Sequence, residues 1–155
     1  MARDIELRQA TLEDVSMLAE MNQQLIIDQG SPNVMDFEAL KHRMVQWLAD
    51  GREAVIVERE HQVIGYLLYR RVEDEYYPYQ DSFYIRQFFI LPSFRRRGIG
   101  QIAFDQIVSE YFEPDVALML DVLETNPEAK AFWSKIGFEE YHTTMRRSVS
   151  ETAHR

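Results

Sequence analysis

The stretch LPSFRRRGIGQ, Leu91–Gln101, decides how the fold of this chain is interpreted. The preceding segment SFYIRQFFIL, Ser82–Leu91, has the aromatic and β-branched residues typical of a strand, and Pro92 marks the end of that strand. After it, apolar residues recur every four positions from Ile99 to Tyr111 and predict a helix over residues 99–112. The stretch is therefore predicted to be the turn of a strand–turn–helix unit, and it carries three consecutive arginines and two glycines.

This turn has the properties of an anion-binding site. The first backbone N–H groups of a helix have no partners within the helix, and the helix dipole makes that end positive. Glycine at positions 98 and 100 lets the backbone approach a phosphate closely, and the arginines add charge-assisted hydrogen bonds. Residues Arg96–Gln101 are therefore predicted to bind a diphosphate. The alternative is a surface turn in which the arginines only solvate the start of the helix.

Composition limits the classes of protein to which the chain can belong. The 155 residues suit one domain, residues 1–155, and 46% hydrophobic and 28% charged residues are ordinary for a globular protein. A net charge of -9 argues against nucleic-acid binding, and the absence of cysteine excludes disulfides and thiolate metal sites. Because no apolar segment resembles a signal peptide or a membrane span, we expect a cytoplasmic protein without a metal or membrane contact.

The whole sequence predicts the element order β-α-α-β-β-β-α-β-α-β. Strands paired by hairpins in the first half, and strands alternating with helices in the second, predict an α+β fold with a mixed sheet and helices on both faces. The predicted strands are residues 5–10, 53–60, 62–72, 82–91, 116–123 and 138–149. The predicted helices lie between Thr11 and Gly30, between Asp36 and Gly51, over residues 99–112, and between Asn126 and Gly137.

Two segments resemble the signatures of one enzyme superfamily. FFILPSFRRRGIG, Phe88–Gly100, resembles the central motif of the GCN5-related N-acetyltransferases (GNAT): a strand ending in V-x-P, then Q/R-x-x-G-x-G/A, then a helix. Arg95, Gly98 and Gly100 occupy its fixed positions. NPEAKAFWSKIGFEE, Asn126–Glu140, resembles the second signature, in which a short helix follows an asparagine and precedes an aromatic residue and Gly-Phe. The resemblance implies a sheet split by a V between its fourth and fifth strands.

The resemblance also implies acetyl-CoA as the cofactor. In this superfamily a bulge in the fourth strand leaves backbone groups to which the pantetheine arm bonds like an added strand, and the following turn holds the diphosphate. By similarity, the cofactor-binding residues are Phe89, Ile90, Leu91, Arg95, Arg96, Arg97, Gly98, Ile99, Gly100, Gln101, Asn126, Phe132, Trp133 and Lys135. Asn126 is equally explained as a helix cap, and Phe132 as a core residue.

The implied reaction is direct attack of an amine on the thioester in a ternary complex, with the backbone N–H of Ile90 stabilising the oxyanion. Two positions depart from the family pattern, because Trp133 and Arg86 stand where many relatives carry a tyrosine acid and a glutamate base. Neither replacement can exchange a proton at neutral pH. The remaining acid/base candidates are Tyr84, Glu124 and His142, each of which can also be an ordinary surface or structural residue.

The acceptor is expected between the first two helices and the sheet. Asp28, Tyr77 and Tyr79 are candidates to hold a cationic amine, whereas Arg86 would suit an acceptor that carries a carboxylate. We therefore predict an N-acetyltransferase acting on the primary amine of a small molecule. The alternatives are a protein or peptide N-acetyltransferase and a non-catalytic acyl-CoA-binding module. Separately, the edge of the final predicted strand could pair with a second chain to form a homodimer.

Overall fold

The computed structural model describes residues 4–95 and 97–150, and one five-stranded sheet runs through its first part. The strands are β1 (Ile5–Gln9), β2 (Glu53–Arg59), β3 (Gln62–Val72), β4 (Ser82–Ile90) and β5 (Ala117–Met119). The helices are α1 (Val15–Asp28), α2 (Phe37–Ala49), α3 (Ile99–Tyr111) and α4 (Pro127–Lys135). Strand order in the sheet follows chain order, with antiparallel pairs up to β4 and a parallel β4–β5 pair. The predicted α+β fold with a mixed sheet is confirmed.

The chain divides into two compact units, of which the first ends at Asp121 and the second begins at Val122. The first unit holds the sheet and α1–α3, and the second holds α4 and the segment after it. A single domain over residues 1–155 stays a prediction. Within residues 4–95 and 97–150, no helix has the length and apolar character needed to cross a bilayer.

The fourth strand is bulged and leaves its neighbour early. Leu68 of β3 faces Gln87, but the next residue, Tyr69, faces Ile85, so Arg86 is an extra residue on β4. On its other side, β4 pairs with β5 only from Ser82 to Tyr84. From Ile85 onward, β4 is therefore bonded to β3 but has left β5, which is the V that was predicted.

The apolar core of the first unit fixes the position of β4. Residues of α1 and α2 pack on one face of the central strands, and the shared cluster includes the fully buried Leu18, Met44, Ile56, Tyr66, Leu68 and Phe89. Each such side chain contributes about 1.5–3 kcal/mol of burial free energy. Because Phe89 is 1% exposed within this cluster, the end of β4 is held on a rigid platform.

The start of α1 is fixed by a buried carboxylate. Asp14, 8% exposed, accepts a hydrogen bond from the Thr11 amide at 2.8 Å and two from the Arg8 guanidinium at 2.9 and 3.0 Å. The bonds from Arg8, together with the Thr11 amide, outweigh the effect of burial and lower the pKa of Asp14. Asp14 is thus ionised in the folded chain and ties β1 to the first turn of α1.

Replacing Asp14 by alanine should lower the free energy of unfolding by about 1–2 kcal/mol at pH 7, a modest loss since Arg8 is partly exposed and screened by solvent. A lowered pKa in the folded state means that this stabilisation exists above the ordinary carboxyl pKa and is lost as the pH falls through the folded value. The difference between wild type and Asp14→Ala should therefore shrink below about pH 4. Urea unfolding at pH 7 and pH 3 tests this, with the exposed neighbour Glu13→Ala as control; an equal loss at both pH values would contradict the role of the charge.

Two of the predicted strands differ from the structure. The predicted strand over residues 116–123 is reduced to Ala117–Met119, and the predicted strand over 138–149 does not form. Residues 141–150 are exposed throughout, although their composition suits a strand. A strand is stabilised by pairing with a neighbour, which composition alone does not supply. The sheet edge expected for a homodimer is thus not formed by this segment, and the dimer stays a prediction.

Candidate active site

The turn after β4 leads into α3, whose first turn has no side-chain cap in the described residues. A short 3₁₀ turn, Pro92–Phe94, follows β4, and Gly98 is the N-cap of α3 with a left-handed φ of 74°. The first backbone bond of α3 runs from Ile102 N to Gly98 O at 3.0 Å, and no side chain caps the helix start within the described part of the chain. The amides of Ile99, Gly100 and Gln101 therefore precede the hydrogen-bonded part of the helix and are available to an anion.

Of the residues predicted to bind the diphosphate, those from Arg97 to Gln101 lie together at this helix start. Arg97 and Gly98 are exposed, and a Cβ added at Gly98 would meet no atom within 4 Å, so the turn has open space in front of it. Ile99 is buried and anchors the first turn of α3 through its side chain. Arg96 lies outside the described residues. The available donors and the open space fit a diphosphate of coenzyme A.

Arg95 makes contacts other than those predicted from the sequence. Its Nε donates to the carbonyl oxygen of Ile90 at 2.7 Å, and its Nη2 lies 2.5 Å from Oδ2 of Asp28. Burial raises the pKa of Asp28. The hydrogen bonds from Arg95 and Gln24 lower this pKa by more than burial raises it, so the net shift is downward. A residue predicted to bind the cofactor and one predicted to bind the acceptor are thus an ion pair that joins the end of α1 to the turn.

The Arg95–Asp28 pair should be detectable as energetic coupling. In a double-mutant cycle with Arg95→Ala and Asp28→Ala, we expect a coupling of about 0.5–1 kcal/mol in the free energy of unfolding, small because the Arg95 side chain is 37% exposed. Urea unfolding of the four proteins measures it. The Arg71–Asp81 pair, in which both side chains are more than 60% exposed, serves as a comparison expected near zero. Strictly additive effects at Arg95 and Asp28 would show that the pair contributes nothing.

The backbone of Ile90 faces away from β3. The next amide, that of Leu91, donates to Ile64 O of β3 at 2.7 Å, and successive N–H groups of an extended strand point to opposite sides. The Ile90 N–H therefore points to the side of β4 from which β5 has departed. Directly opposite Ile90 is Gly65, where a Cβ would collide with the carbonyl oxygen of Phe89. Sequence reasoning missed this glycine, whose role depends on a close approach of two strands.

Tyr84 lies at the last paired position of β4 and β5. Its hydroxyl donates to Oδ2 of Asp121 at 2.8 Å, and burial together with this carboxylate raises the pKa of Tyr84 to about 12. The phenol is therefore protonated at neutral pH. It can donate a hydrogen bond or a proton but cannot accept a proton from an amine.

The remaining cofactor and acid/base candidates belong to the second unit. Asn126 Oδ1 accepts from the Ala129 amide at 3.2 Å and caps α4, so its structural role is observed. Trp133 packs edge-on against Phe132 and Phe138 at ring-centroid distances of 5.0 and 5.3 Å. Glu124 contacts Lys130 at 3.4 Å; the functional roles of Glu124, and of Lys135 and His142 in the same unit, stay predictions.

The remaining acceptor candidates lie in two places. Tyr77 and Tyr79, in the β3–β4 connection, form an edge-to-face pair 5.5 Å apart and are 51% and 86% exposed. Arg86, the bulge residue, instead lies with its guanidinium carbon 5.5 Å from the ring centroid of Trp47 on α2. Trp47 and its neighbour Arg43 were not singled out from the sequence, because they read as an ordinary helix face.

Comparison with known proteins assigns the family. The model of the Acetyltransferase (GNAT) family matches residues 20–138. A possible acetyltransferase from Clostridium difficile 630 is similar at a TM-score of 0.77, with 21% identity over 94% of this chain and 97% of that one. A predicted acetyltransferase with acetyl-CoA from Clostridium acetobutylicum gives a TM-score of 0.72, with 20% identity over 93% and 96% of the two chains.

The aminoglycoside N-acetyltransferase AAC(6')-Iy in complex with CoA also gives a TM-score of 0.72, at 17% identity over 94% of each chain. At such identities the structural likeness supports the fold, and no curated protein sequence matches significantly. The family match covers well over half of the chain, including β4, the glycine turn and α4. This chain therefore belongs to the GNAT family of acetyltransferases, which use acetyl-CoA as acyl donor.

Proposed function

We propose that this enzyme transfers an acetyl group from acetyl-CoA to the primary amine of a small molecule, by direct attack within a ternary complex. The observation that carries the proposal is the end of β4. Here the strand is bulged at Arg86, has left β5 after Tyr84, and leads into a helix start with available amides. An open strand edge and an anion-binding turn, consecutive in the chain, match the two parts of coenzyme A.

Each part of the cofactor has a complementary feature in this proposal. The open side of β4, to which the Ile90 N–H is directed, offers backbone hydrogen bonding to the amide-containing pantetheine arm, and the adjacent Phe89 and Leu91 flank this position. The amides of residues 99–101, with the side chain of Arg97, receive the diphosphate. From the family signature, we also propose contributions from Asn126, Phe132, Trp133 and Lys135.

Catalysis in this proposal depends mainly on backbone electrostatics and positioning. When bound, acetyl-CoA supplies the acyl group as a reactive thioester. The Ile90 N–H, directed away from β3, stabilises the negative charge that develops on the carbonyl oxygen. Tyr84 stays neutral and Arg86 stays charged, so neither serves as the base; the amine loses its proton to solvent, to Glu124 or to His142.

A thermal-shift experiment followed by a thiol-release assay tests this function. Acetyl-CoA should raise the melting temperature, and free thiol should appear when a small amine is added. A panel of free amines and peptides carrying lysine or a free N-terminus separates the proposed acceptor class from a protein acceptor. Stabilisation by acetyl-CoA without turnover on any amine would favour a non-catalytic acyl-CoA-binding module, and turnover confined to peptides would favour a protein acetyltransferase.

A further inference from the structure

Three arginines lie around Trp47 beside the bulge of β4, and one of them, Arg52, is 5.5 Å from the ring centroid and is paired with Asp50. The guanidinium carbon of Arg43, on α2, lies 4.2 Å from the ring centroid of Trp47, and that of Arg86 lies 5.5 Å from it. Within residues 4–95 and 97–150, neither Arg43 nor Arg86 forms an ion pair with a carboxylate. Two like charges near one ring repel each other, so an anion between them would relieve this repulsion.

Several hydrogen-bond donors around these arginines have no acceptor. Arg43 Nη2 donates to Asn22 Oδ1 at 3.1 Å, yet Arg43 Nε and Asn22 Nδ2 are buried without any partner in the described residues. Asn22 is fully buried, at 0% exposure. Buried donors without acceptors are rare and costly in native proteins, about 1–3 kcal/mol each, and such groups are commonly satisfied by a ligand or water.

The neighbouring Tyr66 and Gln87 add to this donor set. The buried Tyr66 hydroxyl donates to Gln87 Oε1 at 2.7 Å, which leaves the Gln87 amide nitrogen as a further donor. Burial and the positive charge of Arg86 both lower the pKa of Arg43. The contacts of both arginines with Trp47 are the geometric counterpart of this effect. An arginine remains charged despite such a shift. The site is thus cationic in a chain whose net charge is -9.

We propose that Arg43 and Arg86 form a carboxylate-binding subsite beside Trp47, so that the amine acetylated by this enzyme also bears a carboxylate. This inference rests on the proposed function. The planar guanidinium presents paired N–H donors that match the two oxygens of a carboxylate, which a diamine or an aminoglycoside-like acceptor would not use. Asn22 holds Arg43 through its Oδ1, and the amide nitrogens of Asn22 and Gln87 complete the donor set.

The position of the subsite indicates how far the carboxylate lies from the reacting amine. Arg86 precedes Ile90 by four residues, so their Cα atoms are about 13 Å apart along the strand. An arginine side chain bridges part of this distance, and the acceptor must bridge the rest. An amine several bonds away from its carboxylate, as in the side chain of lysine or ornithine, suits this separation better than an α-amine does.

Matched pairs of acceptors test the subsite. Lysine and cadaverine differ by one carboxylate, and so do ornithine and putrescine. For the wild-type enzyme, kcat/KM for thiol release should be about tenfold to a hundredfold higher for the carboxylate-bearing member. The difference should lie mainly in a lower KM, because the charge-assisted bonds to the carboxylate are present in both the ground state and the transition state. Arg86→Met and Arg43→Met should remove this preference by lowering kcat/KM for lysine and ornithine to the values of the corresponding diamines.

Arg71→Met is the matched control, because Arg71 lies on β3 with its own carboxylate partner, Asp81, at 3.1 Å. It should retain the preference. Thermal melting shows whether the partly buried Arg43 variant is folded, and the exposed Arg86 variant tests the subsite even if the Arg43 variant is not. Thiol release with equal kcat/KM for both members, or a preference that survives Arg86→Met, overturns the subsite alone. Absence of thiol release with every acceptor overturns the proposed function together with the subsite.

Discussion

Replacing Gly98 by glutamate is expected to weaken acetyl-CoA binding by about a hundredfold or more. The new carboxylate would stand at the start of α3, where the diphosphate is proposed to accept hydrogen bonds from the backbone. Two anions cannot share these few donors, and each also repels the other. Isothermal titration with acetyl-CoA measures the loss.

Folding should survive the Gly98 substitution. No atom lies within 4 Å of a Cβ at Gly98, so the side chain has room, although a φ of 74° costs any residue other than glycine about 1–3 kcal/mol. Gly51→Glu is the matched control, because Gly51 also has a positive φ, 102°, and open space around it, but lies between α2 and β2. The control should bind acetyl-CoA with wild-type affinity. A folded Gly98→Glu enzyme that does the same would remove the diphosphate from this turn.

Replacing Ile90 by proline is expected to lower kcat by about a hundredfold to a thousandfold, the effect typical of losing one oxyanion donor. Proline lacks the backbone N–H that is proposed to stabilise the developing negative charge. Because this N–H points away from β3 and Ile90 is the last residue of β4, the substitution removes no β3–β4 hydrogen bond and occupies a position that proline tolerates. Steady-state kinetics with saturating acetyl-CoA and a reactive amine give the comparison.

Ile90→Ala separates the side chain from the backbone in this experiment. Ile90 is 5% exposed, so alanine loses comparable packing but keeps the N–H, and it should lower stability while retaining most of kcat. Melting temperatures and affinities for coenzyme A are needed for both variants. If proline and alanine reduce kcat equally, the Ile90 amide is not the oxyanion donor.

The parts of the fold that could be predicted are those specified by nearby residues. The end of β4, the glycine turn and α3 follow from Pro92, from Gly98 and from apolar residues at helical spacing, all local signals. The strand expected over residues 138–149 failed because its composition does not determine a pairing partner. The V between β4 and β5 came from family resemblance, since no periodicity within β4 indicates where its neighbour departs.

The same distinction applies to the site. The turn was predicted because its chemistry lies within consecutive residues. The Arg95–Asp28 pair and the Arg43–Trp47–Arg86 cluster join helices and strands that are distant in the chain, so the sequence indicated single candidates such as Arg95, Asp28 and Arg86 but not their partners. Only the folded arrangement showed that Arg95 is held by Asp28 and that Arg86 has a second arginine beside it.

A crystal structure with coenzyme A bound is the most direct measurement of where the acyl donor lies. We expect diphosphate oxygens within hydrogen-bonding distance of the backbone nitrogens of residues 99–101, and the pantetheine arm along the side of β4 that faces away from β3. A fully occupied cofactor whose phosphates contact other parts of the chain, with the amides at the start of α3 bonded elsewhere, would contradict the account.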